Sequence, residues 1–266
     1  MKNTHKPQKI TILATALAAT LFTVSSSHAA ISLLNNELGR GLNTNDGAGN
    51  VQADTISYTL RGGNAIAIGF YTDGSSQTLA STSSITLGGQ AADFIDNGSE
   101  NRSRTRVAYW FNPTGDDISV TFGAVNEYAY SIFELSGVDT TVPALFDSSE
   151  LDGSDLTTTI TTTATESFLI DFYGTNANGT AAIDSGPLGG EQSFGVTADP
   201  NDDTGTISSA FATVGAGEHT TDWNNIGGSN NDGSAGLAFA AAVVPEPSSS
   251  ALLGAGFTLL MIRRRR

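Results

Sequence analysis

The hydrophobic pattern of residues 30–243 predicts short β-strands, and helix signals in this region are weak. Apolar, β-branched and aromatic residues form short runs, and Gly, Asn, Asp and Ser separate these runs. No segment of this region shows the 3.6-residue repeat of an amphipathic helix. The predicted strands are 55–60, 65–71, 83–87, 106–111, 118–122, 128–135, 157–163, 167–173, 191–197, 206–213, 219–223 and 236–243.

Two kinds of run predict two kinds of strand. Residues 118–122 alternate between apolar and polar, which is typical of a strand with one face in water. Residues 109–111 and 168–170 are apolar at consecutive positions, so we expect them in strands that are buried on both faces. This favours Trp110 and Phe111 as core residues rather than a ligand platform. Together the predicted strands indicate an all-β fold, a two-sheet antiparallel sandwich.

The last residues of the sequence combine three physically distinct parts. Pro245, Glu246 and Pro247 predict an extended segment, because proline fixes its own backbone and lacks an N–H group. An apolar run over 251–262 follows and predicts a short C-terminal transmembrane helix, although the run is shorter than the roughly 20 residues of a usual span. Four basic residues then hold this end on the cytoplasmic side by the positive-inside rule. They are Arg263, Arg264, Arg265 and Arg266.

The first 29 residues have the pattern of a secretory signal peptide. Lys2, Lys6 and Lys9 precede an apolar stretch over 10–24, and small residues follow. A cut between Ala29 and Ala30 places small residues at the −3 and −1 positions. A cut after Ala30 is less favourable because it places a histidine at −3. The alternative at either end of the chain is an ordinary membrane anchor.

The tail resembles the PEP-CTERM sorting signal of Gram-negative bacteria in its Pro245-Glu246-Pro247 triplet, short apolar segment and terminal arginines. The resemblance implies recognition by exosortase, a membrane-embedded protease of the cysteine transpeptidase type, which cuts near the triplet. It implies three regions: a signal peptide over 1–29, a β-sandwich domain over 30–243 and a sorting signal over 244–266. It also implies an inner-membrane-anchored precursor that ends at the cell surface or in an exopolysaccharide and biofilm matrix.

The region between the two signals is strongly acidic. About 215 residues remain there, with no lysine and five arginines against 26 of the 27 acidic residues, a net charge of −21. Such a chain repels nucleic acid and anionic lipid, so neither is an expected lasting partner. Acidity of this degree is equally typical of exported proteins from saline habitats.

The residues that most hydrolytic enzymes need are scarce. There is no cysteine, which excludes disulfides and thiol catalysis. His219 is the one histidine left after the signal peptide, and no Gly-x-Ser-x-Gly motif accompanies it. We expect His219 to be structural and the protein to have no enzymatic activity. A glycosidase that uses two carboxylates stays an alternative, since 26 acids offer many pairs.

One acidic turn resembles a calcium loop. Asp199, Asn201 and Asp203 place oxygen ligands at alternate positions. Gly205 stands one position later than in that motif, and the glutamate at the twelfth position is missing. A solvated acidic turn is therefore the favoured interpretation, and these three residues are the candidate ligands if Ca²⁺ binds. Weaker acidic turns occur at 152–155 and 230–233.

Three further features allow a contact with sugars, each beside a simpler interpretation. The threonines of 157–163 suit a strand, and they could also carry O-linked sugar. Arg102, Arg104 and Arg106 share one face of an extended segment, where they form an internal counter-charge patch or bind an anionic polysaccharide. Tyr71 and Trp223, if exposed, could stack on sugar rings.

The body resembles secreted bacterial β-sandwich domains. The matching residues are a Gly-Gly-Gln-Ala turn at 88–91, the aromatic strand ending at Pro113, and Ser136-Gly137-Val138-Asp139 with a proline nearby. This resemblance implies a jelly-roll or lectin-like sandwich. Taken together, the sequence predicts an exported, non-enzymatic surface or matrix protein that signal peptidase and exosortase process. The alternative is a calcium-dependent carbohydrate-binding module that acts in the exopolysaccharide.

Overall fold

The computed structural model describes residues 27–41, 51–73, 76–79, 84–96, 105–124, 127–150, 156–175, 181–188, 194–197, 205–224 and 232–244. These residues contain twenty β-strands and no α-helix. The strands are β1 Ser27–His28, β2 Ser32–Gly41, β3 Val51–Ile56, β4 Ala65–Asp73, β5 Ser76–Leu79, β6 Ile85–Leu87, β7 Gln90–Ala91, β8 Phe94–Asp96, β9 Thr105–Phe111, β10 Ile118–Ala124, β11 Glu127–Ser136, β12 Leu145–Glu150, β13 Leu156–Thr162, β14 Ser167–Thr175, β15 Ile183–Ser185, β16 Phe194–Thr197, β17 Thr206–Val214, β18 Gly217–Trp223, β19 Gly233–Ala240 and β20 Val243–Val244.

The described residues fall into two units. One contains the short antiparallel pair of β1 with β20, in which Ser27 faces Val244 and His28 faces Val243. The other runs over Ala29–Ala242 and contains the remaining strands. We call this second unit the body.

The described residues of the body form four antiparallel sheets. The first inner sheet has the order β2-β11-β4-β9-β8, and the first outer sheet has the order β3-β10-β6-β7 with β5 beside β10. The second inner sheet has the order β12-β19-β14-β17-β16, and the second outer sheet has the order β13-β18-β15. The predicted all-β class is confirmed, but the body holds four sheets rather than the two expected from the sequence.

The two halves of the body repeat one topology. In each half the first strand pairs with the last, the last pairs with a central strand, and that strand pairs with the next inner strand. The outer strands also correspond, since β10 lies between β3 and β6 as β18 lies between β13 and β15. The first half is β2 to β11 and the second is β12 to β19.

Three hydrophobic cores separate the four sheets. The central core lies between the two inner sheets and contains Phe133, Phe172 and Phe239. The first outer core contains Ile68, Phe70 and Trp110. The second outer core contains Leu169, Tyr173 and Trp223. The inner sheets are therefore buried on both faces, because successive side chains of a strand point to opposite sides.

This layering confirms the prediction from consecutive apolar residues. Tyr109 and Phe111 point into the central core or pack against it, whereas Trp110 points into the first outer core. Phe168 and Ile170 likewise face the central core and Leu169 faces the second outer core. In 118–122, as predicted, the apolar positions are buried and Ser119 is exposed.

The predicted strand over 55–60 is wrong in its second part. Strand β3 ends at Ile56, and residues 57–60 lie outside any strand. Their backbone is bound by side chains instead, because Tyr58 N donates to Asp117 Oδ1 over 3.1 Å and Leu60 N donates to Asp116 Oδ1 over 2.9 Å. Carboxylates of the turn between β9 and β10 thus bind this backbone in place of a neighbouring strand.

Candidate functional site: the terminal clasp and the buried carboxyl

The two ends of the body meet in a hydrogen-bonded arrangement. Ala29 N donates to Ala242 O over 2.8 Å, and Ala242 N donates to Gly137 O over 2.8 Å. Ala29 is the residue after which the sequence predicts signal-peptide cleavage. The first and last residues of the body therefore lie side by side, at the connection between its two halves.

Glu166 joins both ends. Its carboxylate Oε1 accepts a hydrogen bond of 2.9 Å from Ile31 N, and its backbone oxygen accepts one of 3.1 Å from Ala241 N. The Ile31 side chain is only 7% exposed and packs in the central core. We call residues 29–31, 137–138, 166 and 240–242 the terminal clasp.

Gly137 permits this close approach. Its φ is +79°, a left-handed conformation in which a side chain is strained. A Cβ atom on Gly137 would also lie 2.5 Å from Ala30 O. Gly137 belongs to the Ser-Gly-Val-Asp turn that the sequence singled out, but nothing in the sequence indicated that the N-terminal segment packs on it.

A second unusual group is a buried carboxyl in the second outer core. Asp171 in β14 has no exposed surface. Trp223 Nε1 donates to its Oδ1 over 2.8 Å, and Thr158 Oγ1 donates to its Oδ2. The Trp223 ring also stacks on Tyr173, with a centroid distance of 5.5 Å. Asp171 thus links an inner strand to both long strands of the second outer sheet.

Burial dominates the proton equilibrium of Asp171. Loss of hydration raises the pKa of Asp171 to about 7, and the negative charge of Asp147 acts in the same direction. The bonds from Thr158 and Trp223 favour the ionised form and oppose this rise. Because the carboxyl is enclosed, it cannot touch a polysaccharide while the sheets stay packed, so its role in this conformation is structural.

The first half holds a buried carboxylate in a different setting. Glu134 accepts hydrogen bonds from Tyr58 Oη over 2.7 Å, Arg61 N over 2.8 Å and Gly63 N over 2.6 Å. Burial, and next the hydrogen bond to Glu134, raises the pKa of Tyr58. This arrangement fixes the connection between β3 and β4, where residues 57–64 form no strand.

Most sequence-predicted site residues lie outside the described residues. These are the sorting triplet Pro245, Glu246 and Pro247, the basic residues Arg263 to Arg266, and the candidate calcium ligands Asp199, Asn201 and Asp203. Among the residues that the structure describes, no group of three or more His, Asp or Glu side chains is arranged to hold a metal ion. Calcium binding stays a prediction.

His219 lies in β18, at the turn that joins this strand to β17. Its Nε2 atom is 2.9 Å from Gly215 O and 3.1 Å from Thr162 Oγ1. Thr162 Oγ1 donates to the same Gly215 oxygen over 2.6 Å. The imidazole thus contacts the turn that precedes it, and its structural role stays a prediction.

The two aromatic rings that could stack on sugar if exposed are both buried. Tyr71 has no exposed surface and packs in the central core, and Trp223 is 2% exposed in the second outer core. Their strands carry them to faces that another sheet covers. Trp110 is also fully buried, as predicted.

Of the three arginines, the structure describes Arg106 and excludes it from binding a polysaccharide at the surface. Arg106 is 1% exposed, and its Nη1 donates to Thr105 O over 2.8 Å. It cannot contribute to an exposed patch, because β9 is a central strand with sheets on both faces. Arg102 and Arg104 lie outside the described residues.

The threonines of β13 alternate as a strand requires. Thr158 and Thr162 are buried, whereas Thr159 and Thr161 are exposed. Thr159 Oγ1 lies 3.0 Å from Thr220 Oγ1 on the neighbouring strand. The strand prediction is confirmed for Leu156–Thr162, and sugar attachment stays a prediction.

The described residues include no helix long and apolar enough to cross a membrane. The predicted segment over 251–262 lies outside them. Comparison with known proteins found no matching family model, no matching curated protein and no matching solved structure.

Proposed function

We propose that this chain is the precursor of an exported, non-enzymatic protein of the cell surface or extracellular matrix. Signal peptidase removes residues 1–29, and an exosortase-type protease cuts near Pro245-Glu246-Pro247. The observation that carries the proposal is the ordered combination of this triplet, the apolar run over 251–262 and four arginines. The precursor is held in the inner membrane, and the mature protein acts in an exopolysaccharide or biofilm matrix.

The proposal is supported by the bounds of the body. The compact unit runs over Ala29–Ala242. The two ends of this unit lie next to the two proposed cuts, although packing and not a sorting motif defines the unit. Removing both signals therefore leaves the packed sheets and their cores whole.

The fold and charge of the body support a structural or adhesive role. The mature region carries a net charge of −21 and packs most of its aromatic rings in closed cores. A high net charge keeps a protein soluble and free of nucleic acid. We also infer that each half is a variant of the jelly roll, because its first strand pairs with its last strand at one edge of the inner sheet.

Export is tested by changing the tail in the native host. We expect the triple variant Pro245→Ala, Glu246→Ala, Pro247→Ala to stay in the inner membrane at precursor mass. Pro143→Ala, at an exposed proline of the body, is the matched control and should reach the outer fractions like the wild type. Release of the triple variant at the same mass and rate as the control would overturn exosortase processing.

The role after export needs a separate test, since the sequence also allowed a calcium-dependent carbohydrate-binding module. Mature protein from the host is applied to a glycan array with calcium and with a chelator. The structural role predicts no glycan bound selectively in either condition. Selective binding that the chelator abolishes would replace the structural role with carbohydrate binding.

A further inference from the structure

Cleavage after Ala29 changes the charge of the terminal clasp. In the uncut chain the nitrogen of Ala30 is a neutral amide, whereas in the mature chain it is an α-ammonium group. Such a group has an ordinary pKa of about 7.7–8.0 and is therefore largely protonated below neutral pH. The new positive charge forms at the first residue of the mature chain, one residue before Ile31.

The carboxylate of Glu166 is within reach of this charge. Its Oε1 lies 2.9 Å from Ile31 N. Neighbouring backbone nitrogens are separated by about 4 Å at most, because successive Cα atoms are about 3.8 Å apart. The ammonium nitrogen is thus at most about 7 Å from Oε1, and a rotation at the free chain end brings it closer. Opposite charges at about 4–6 Å favour each other's ionised forms.

The clasp holds the new terminus in place. The Ile31 side chain is buried in the central core, so the residue before it cannot move far from Glu166. The carbonyl of Ala30 packs against Gly137, whose missing side chain leaves room for it. Glu166 is itself fixed through its backbone bond to Ala241 N.

Asp139, also near the clasp, is bound within its own turn. Asp139 is on the adjacent turn, but its Oδ1 accepts bonds from Thr141 N over 2.9 Å and Thr141 Oγ1 over 2.6 Å. His28 leaves with the signal peptide. A C-terminal carboxylate formed near Pro245 would add a second negative charge to this end of the body, and a substitution of Glu166 leaves that charge unchanged.

We propose that Glu166 binds the α-ammonium group of Ala30 after signal-peptide removal, and that this ion pair locks the mature N-terminus into the terminal clasp. The inference rests on the proposed function, because it needs the cut after Ala29. Glu166 thereby has a role that only the processed protein uses.

The sequence makes the test unusually direct. No lysine follows Lys9, so the α-amino group is the one primary amine of the mature chain. Reductive methylation with ¹³C-formaldehyde labels that group alone, and its NMR signal followed against pH yields its pKa. We expect the pKa in the folded wild type to exceed the pKa of the same protein in urea by about half a unit to one unit.

Variants assign the shift to Glu166. Glu166→Gln keeps an acceptor oxygen for Ile31 N but removes the charge, and it should return the α-amino pKa to the value in urea. Glu218→Gln, at an exposed position of β18, is the matched control and should leave the raised pKa unchanged.

The outcomes separate the two proposals. Intact mass is measured first, and a mature chain that starts at a residue other than Ala30 overturns the cleavage site and this inference with it. If the chain starts at Ala30 but its α-amino pKa is the same in the folded wild type and in urea, the ion pair is overturned while export stands. This comparison needs no variant, so a Glu166→Gln protein that fails to fold leaves the test intact.

Discussion

The two halves of the body share a strand order but differ in the chemistry of their outer cores. In the first half β4 directs Ile66, Ile68 and Phe70 into the outer core. In the second half β14 directs Leu169, Asp171 and Tyr173 into the corresponding core. A carboxyl thus stands in β14 where β4 has isoleucine.

The two side chains have equivalent neighbours in the strand order. Ile68 lies between Ala108 of β9 and Ile132 of β11, and Asp171 lies between Ala210 of β17 and Gly236 of β19. The same pairing therefore tolerates an apolar or an ionisable side chain. What the carboxyl needs is two donors, which Trp223 and Thr158 supply from the facing sheet.

The largest expected effect comes from removing the single tryptophan of each outer core. Trp110→Ala and Trp223→Ala should each lower the free energy of unfolding by about 3–5 kcal/mol, because each leaves a large cavity. At about pH 8 the free energy of unfolding should fall by about 1–3 kcal/mol more in the Trp223 variant than in the Trp110 variant, because the ionised Asp171 loses a hydrogen-bond donor. Urea unfolding followed by far-UV circular dichroism measures both variants.

The control is the pH dependence of the difference in unfolding free energy between the two tryptophan variants. At about pH 5 Asp171 is largely protonated, so the gap between the two tryptophan variants should shrink. An equal gap at both pH values would contradict the role of Trp223 as a donor to the ionised carboxyl.

The next largest effect concerns the proton of Asp171. Its pKa is raised to about 7 in the folded protein, whereas the unfolded chain has the ordinary value of 3.8. Between these values the folded state binds a proton that the unfolded state lacks. The contribution of Asp171 to stability is therefore greatest below about pH 4, and it falls by a few kcal/mol as the pH rises to about 7.

Asp171→Asn tests this sign. The difference in unfolding free energy between the variant and the wild type should change with pH over that interval, in favour of the variant as the pH rises. Asp184→Asn, at an exposed position of β15, is the matched control for the change from carboxylate to amide. A constant difference for Asp171→Asn would show that its carboxyl titrates alike in both states.

The smallest of the three effects concerns glycines on central strands of the two inner sheets. A Cβ atom at Gly69 would lie 2.2 Å from the Phe172 ring, which is buried in the central core. At Gly236 it would lie 3.0 Å from the end of the Ile160 side chain. Gly69→Ala should therefore cost about 1–3 kcal/mol and Gly236→Ala less than about 1 kcal/mol, measured by the same urea unfolding. A reversed order would contradict the closer packing of the central core.

The sequence predicted the strands whose pattern is strong. Residues 65–71, 128–135 and 167–173 fall within longer strands, because β-branched and aromatic residues dominate them. It missed β2, Ser32–Gly41, whose residues are mostly half-buried and include two glycines and two asparagines. β2 is an edge strand, and edge strands lack the clear difference between buried apolar and exposed polar positions from which a strand is predicted.

The layering and the clasp could not be predicted for a different reason. Consecutive apolar residues indicated burial on both faces but not which sheet covers each face. Asp171 looked like any acid in a strand, since its donors are 13 and 52 residues away in the sequence. Glu166 and Ile31 are 135 residues apart, and no local pattern connects them.

The measurement that tests the central claim most directly is the intact mass of the protein recovered from the culture supernatant and outer fractions of its native host. The account predicts a chain that starts at Ala30 and ends near Pro245, and so consists of the body without Ala29 and with a few residues added at its C-terminal end. A protein that stays in the inner membrane and still carries Arg263–Arg266 would contradict it, and would leave a membrane-anchored protein with the same fold.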